Sequence, residues 1–223
     1  MAATSFDLLK KMNMREISPA VNMTVDEFLQ SSPTQSKELA EKIRASKNSG
    51  NRPLPSTTLI DNSNLLSKAK RFMLLDKVAI LVDENLFGRS EMCIQFSILL
   101  DKALRYFGLP SRAVAGVAIY FSSGGEIFRW PHTWVRIDNE VIDGNVDSLP
   151  ENPVVPQTVR LSPYWGPLNA IPTDRRLRED RNKQLTTDSD VENIWWPDLK
   201  VYLDSEFDRE NSPSLATEKE INP

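Results

Sequence analysis

Apolar positions divide this chain into blocks of different period. Met92, Phe96, Leu99, Ala103 and Phe107 recur at steps of four, three, four and four; Leu100 and Leu104 widen that stripe, and Asp101, Lys102 and Arg105 take the other side. This spacing predicts one amphipathic helix lying on a core, with Ser90 as its N-cap and Gly108 and Pro110 ending it. The strongly apolar stretch 72–87 upstream, which follows SNLLSKAKR, predicts a second helix. Past Pro110 the signal changes: residues 112–121 are rich in β-branched and aromatic side chains and predict a strand. Ser122-Ser123-Gly124-Gly125 is a hairpin turn signal. Residues 126–138 predict the return strand, with Pro131 making its first part an edge or a bulge. Asp138-Asn139 then turns the chain into a short third strand, residues 140–146. Helices followed by an antiparallel meander predict an α+β fold.

The flanks are patterned more weakly. Thr24 and Glu27 form a capping box ahead of Phe28 and Leu29, and residues 34–46 are rich in helix formers. SKNSGNRPLPS, residues 46–56, predicts a linker. Six prolines between Pro150 and Pro172 predict a segment that wraps the surface rather than adding strands to a sheet centre. The mixed charges of DRRLREDRNK, residues 174–183, predict an exposed helix face, with a dedicated anion site as the minority reading. Trp195, Trp196, Tyr202 and Phe207 are expected to anchor the returning chain on the core. From Asp204 onward six acids stand against two bases, which equals the whole net charge of −4. The organisation expected is therefore a helical segment and linker over 1–57, a domain over 58–203, and an acidic disordered tail over 204–223.

Composition narrows the chemistry. The 223 residues contain one cysteine and one histidine. That excludes an internal disulfide and leaves too few ligands for a structural zinc site, so no metal or cofactor is expected. A pI near 5.2 argues against nucleic acid as partner. No apolar run approaches the roughly 18 residues of a membrane span, and MAATSFDLLKKMNMR lacks the apolar core of a secretory signal. The expectation is a soluble protein with no membrane partner in a reducing compartment, the cytosol; no pattern sets an oligomeric state.

One constellation stands out. With Ser90 as N-cap, Cys93 is the third helical residue, beside unpaired backbone N–H groups and the positive end of the helix dipole, both of which favour thiolate over thiol. The same N–H groups, that of Cys93 included, suit an oxyanion. His132 falls on the second strand of the meander and Asp143 on the third, where neighbouring strands can set a carboxylate against an imidazole. The plainer alternative is a buried Cys acting as a small hydrophobe, a polar strand His beside Trp134, and a turn acid before Gly144.

A resemblance adds to these residues. Gly88-Arg-Ser-Glu-Met-Cys93-Ile-Gln95-Phe96-Ser97, then Leu104-Arg105, Gly108-Leu109-Pro110-Ser111-Arg112, Val114 and Gly116, resembles the core of transglutaminase-like proteins. His132-Thr133-Trp134-Val135 and Val141-Ile142-Asp143 match the family's next two blocks in order, and together the blocks span about residues 70–147. The resemblance implies a papain/transglutaminase-like core, with a nucleophile-bearing helix on an antiparallel sheet. It implies Cys93 as nucleophile, His132 as base and Asp143 as orienter, with Trp134 at the substrate and Asn85 as an oxyanion side chain upstream. The activity implied is acyl transfer from, or hydrolysis of, an amide or peptide, of peptidase, amidase, deamidase or transglutaminase type, on a peptide or amide substrate or a protein. A non-catalytic module of the same fold is one alternative. Arylamine N-acetyltransferases are another, although their Arg-Gly-Gly-x-Cys approach to the nucleophile is absent.

Overall fold

The computed structural model describes residues 53–83, 88–90, 92–151, 155, 160–186 and 189–211, with the helical residues 41 and 45, and describes no side chain within 207–211. The short helix expected to start at the Thr24–Glu27 capping box lies outside the described residues, as does most of the helix expected over 34–46 and of the linker.

Six strands form one mixed sheet. In chain order they are β1 (Ile60–Asp61), β2 (Ser111–Ser122), β3 (Gly125–Ile137), β4 (Glu140–Asp143), β5 (Tyr164–Pro167) and β6 (Arg175–Glu179), and across the sheet the order is β1-β5-β4-β3-β2-β6. All pairings are antiparallel except β1 with β5. Among the described residues three α-helices with full bounds accompany it: α1 (Lys68–Val82), α2 (Cys93–Tyr106) and α3 (Trp196–Asn211). The fold is α+β.

The local reasons are plain in each helix. Ser67 caps α1 by accepting from the Lys70 N–H at 3.3 Å. Arg71, on its first turn, forks onto Asp61 of β1 and donates to the carbonyls of Leu65 and Leu66. Leu74, Leu75, Val78, Leu81 and Val82 then bury one face of α1. In α2 the buried stripe is Phe96, Leu99, Leu100, Ala103 and Leu104, and the helix stops where Gly108 takes φ +76°. These two faces, with Leu199 and Leu203 of α3, pack on Val135, Ile137, Ile142 and Trp165, which form the helix-facing side of the sheet.

Several expectations fail for local reasons. Residues 174–183 are not a helix: residues 175–179 pair with β2 as an edge strand, because Arg175, Leu177 and Glu179 alternate with Arg176 and Arg178 at a period of two. The proline-rich segment does contribute an inner strand. β5 lies between β4 and β1, and prolines only precede and end it, so its intervening N–H groups remain free to pair. The bulge falls between Tyr120 and Phe121 of β2 rather than at Pro131. Pro131 pairs with Val117 on one side, and the described β4 register starts only at Val135. The third strand ends at Asp143. At the C-terminus α3 runs on to Asn211, eight residues into the expected disordered tail, with Asp204 bonded to Tyr106 of α2 and to Lys200 one turn before it. Trp195 is buried and Trp196 packs edge-on against Tyr106, while the Phe207 side chain lies outside the description.

Gly116 of β2 leaves no room for a side chain. A Cβ at Gly116 would stand 2.0 Å from the Arg178 carbonyl oxygen and 2.8 Å from the Trp134 ring. Gly116→Ala is expected to cost about 1–3 kcal/mol by forcing β2 and β6 apart, seen as a lower urea midpoint at unchanged slope. Gly124→Ala meets nothing nearer than Ser122 Oγ at 4.0 Å and is the control.

Candidate active site

The short segment before α2 is held by buried charge. Gly88 has φ +71°, and Arg89 turns inward to fork onto Asp147, Nη1 to Oδ1 at 3.0 Å and Nη2 to Oδ2 at 2.7 Å. Asn145 Nδ2 donates back to the Arg89 carbonyl at 2.8 Å. The stretch leading to Cys93 is thereby tied to the stretch that follows Asp143. This tie also corrects the expected cap: Ser90 is buried in the turn, Met92 holds the N-cap position, and no side chain caps the helix. Cys93 is consequently the first helical residue, where its N–H has no acceptor within the helix.

Asp143 ends β4, and Gly144 brings α2 to it. A Cβ on Gly144 would meet Leu75 Cδ2 at 2.7 Å and Phe96 Cε1 at 2.8 Å. Phe96 stands one turn beyond Cys93, so the bare glycine lets the first turn of α2 lie against the end of β4.

Register places the remaining groups. Residues paired across strands share a face: His132 opposes Gly116, Asp143 opposes Tyr164, and Arg175 opposes Tyr120. Tyr164 packs with Val114, Trp134 and Val141, so these groups all lie on the face turned away from the helix-side core. His132 Nε2 and Asp143 Oδ1 are 2.7 Å apart, with each side chain 1% exposed. The other carboxylate oxygen accepts from Arg175 Nη1 at 2.8 Å. Cys93 is half-buried and reaches the same stretch of β3, its Sγ donating to Thr133 Oγ1 at 3.9 Å. His132 Nδ1 is buried and makes no hydrogen bond among the described residues.

Charge and burial act against each other here. Burial disfavours the imidazolium, but the charge and hydrogen bond of Asp143, helped by Cys93, hold His132 well above the usual imidazole range. Burial likewise disfavours the Asp143 carboxylate, and His132 and Arg175 more than offset this and hold it below the usual carboxylate range. Tyr120 is pushed well up by burial and then by Asp143, so its hydroxyl keeps its proton. The site can therefore keep a proton on His132 beside the Cys93 thiol and present a helix-start N–H to a developing negative charge.

Of the residues expected at the site, Cys93, His132 and Asp143 come together. Trp134 is buried beside the imidazole, ring centroids 6.1 Å apart, so its contact with the site runs through His132. Asn85 lies outside the described residues. Arg175 and Arg89 are the residues sequence reasoning missed. For Arg175 the available signal was the alternation Arg-Arg-Leu-Arg-Glu between Pro172 and Asp180. Among the described residues no group of three or more His, Cys, Asp or Glu is placed to hold a metal, and no helix is long and apolar enough to cross a membrane. No protein-family model, no curated protein and no solved structure matches this chain.

Proposed function

We propose that the chain is a cysteine-dependent acyl-transfer enzyme with a papain/transglutaminase-like core, using Cys93, His132 and Asp143. The observation that carries this reading is the buried His132–Asp143 contact at 2.7 Å, with His132 Nδ1 making no hydrogen bond among the described residues and Cys93 bonded to the adjacent Thr133. A carboxylate fixed on one ring nitrogen orients the other toward a thiol, and an imidazolium stabilises a neighbouring thiolate.

The reaction follows from these groups. The Cys93 thiolate attacks the amide carbonyl carbon, a C–S bond forms, and the carbonyl electron pair moves onto oxygen. The N–H groups at the start of α2 stabilise that oxyanion. Collapse re-forms the carbonyl and breaks the C–N bond, and the leaving amine takes its proton from His132. Water or a second amine then attacks the thioester, gives its proton to His132, and releases Cys93 as thiolate. Water as acceptor makes a peptidase, amidase or deamidase; an amine makes a cross-linking enzyme.

p-Nitrophenyl acetate tests the first half of this cycle without knowledge of the natural substrate. The folded chain is expected to release nitrophenolate in a burst and to carry one acetyl group on its single cysteine. Acetylation no faster than that of the urea-unfolded chain would leave the non-catalytic binding module as the better reading.

A further inference from the structure

We propose that Arg175 is a positioning residue of this site: it holds the Asp143 oxygen that His132 leaves free and sets its charge against the imidazolium, limiting how firmly His132 keeps its proton. The inference deepens the Cys-His-Asp reading above and rests on it for its catalytic meaning.

Asp143 is a single buried carboxylate between two cations, Oδ1 on His132 and Oδ2 on Arg175. The Arg175 side chain is 0% exposed and has little room to swing away. Its Nη2 donates to the Ser162 carbonyl at 2.7 Å, and its Nε donates to Asp174 Oδ1 at 2.8 Å. β6 in turn is fixed by its pairing with β2 from Gly116–Glu179 to Tyr120–Arg175. The carboxylate therefore has one orientation, presenting Oδ1 to the imidazole.

A second consequence is electrostatic. Charged and titratable groups reach this part of the sheet from each neighbouring element: Asp143 from β4, Cys93 from α2, Arg175 and the preceding Asp174 from β6, and Tyr120 from β2. Trp134, beside His132 on β3, carries no charge. Among the described residues Arg175 is the one cation in this set other than His132 itself, and it opposes the second positive charge. Without it Asp143 would act on His132 with its whole charge. An imidazole held too firmly protonated is a poor acid for the leaving amine, because proton transfer works best when the group's pKa lies near the working pH. Arg175 moderates that hold while keeping the geometry.

The chain's single histidine makes the test direct, since one imidazole NMR signal reports His132. Replacing Arg175→Met is expected to raise the His132 titration midpoint by about one unit, and Arg175→Lys, which keeps the charge, to restore it nearly to the original value. A purely structural arginine would lower the urea midpoint in both variants and leave the imidazole midpoint in place, which would overturn the proposal.

Should Arg175→Met not fold, the double variant Asp143→Asn/Arg175→Met removes both charges and leaves neither ion unpaired. Its His132 midpoint is expected to lie above that of Asp143→Asn alone, where Arg175 acts on the imidazole unopposed. Equal midpoints would also overturn the proposal. A midpoint that moves as expected in a chain whose Cys93 shows no enhanced reactivity would instead sustain the role of Arg175 and remove the catalytic reading.

Discussion

His132→Ala is expected to slow alkylation of Cys93 by iodoacetamide near pH 6 by about 10²-fold, the low end of what a positioned proton-transfer group contributes. An isolated thiol is under about 1% thiolate at that pH. In the proposed site the imidazole takes the thiol's proton as the sulfur attacks, so losing it slows the reaction. Alanine leaves Asp143 on Arg175, which limits damage to the fold. Intact mass against time measures the rate, and a urea midpoint on the same sample shows whether the variant is folded. A folded His132→Ala that alkylates as fast as the unaltered chain would remove the imidazole from the mechanism.

Asp143→Ala carries the largest expected effect on stability, a loss of about 3–5 kcal/mol, because buried His132 loses its carboxylate partner and buried Arg175 is left with Asp174 alone as anion. The same cluster makes stability depend on pH in a definite direction. Asp143 is depressed from 3.8 to about 2 by His132 and Arg175 against the cost of burial. Its contribution is therefore present above the unfolded value and lost as pH falls through the folded one. His132 is raised from 6.5 to about 10 against the cost of burial, chiefly by Asp143. Its contribution is complete below 6.5 and is lost as pH rises toward 10. Urea unfolding across pH should show the greatest contribution from the pair between about 4 and 6.5, with decline on both sides. In Asp143→Ala the alkaline decline should vanish, since the group that raises His132 is gone. A variant that kept the alkaline slope would place its origin elsewhere.

Much of this was legible in the residues because the signals were periodic. The stripe from Met92 to Phe107 marks α2, and the apolar, turn and strand signals from Arg112 to Asp143 mark three paired strands. That order sets a His-bearing strand beside an Asp-bearing one. The start of α2 was misplaced because Ser90 has the chemistry of a cap, whereas its neighbour Arg89 is drawn into the interior by Asp147, more than fifty residues later. No local pattern carries that tie. Arg175 was hidden by composition: five basic and three acidic residues in ten resemble a solvated helix, and only the alternation about Leu177 distinguishes a strand with one buried arginine. β5 was obscured by counting prolines rather than asking which N–H groups they remove. What Gly116 and Gly144 admit is a neighbour distant along the chain, which no local pattern carries.

The central claim is that the folded chain makes Cys93 more reactive than an ordinary thiol, and it needs no substrate to test. Brief exposure to a low dose of iodoacetamide near pH 6, followed by intact mass, should modify the native chain about 10²-fold faster than the urea-unfolded chain, with a single adduct on its single cysteine. A native Cys93 that stays unmodified until the chain unfolds would contradict the account.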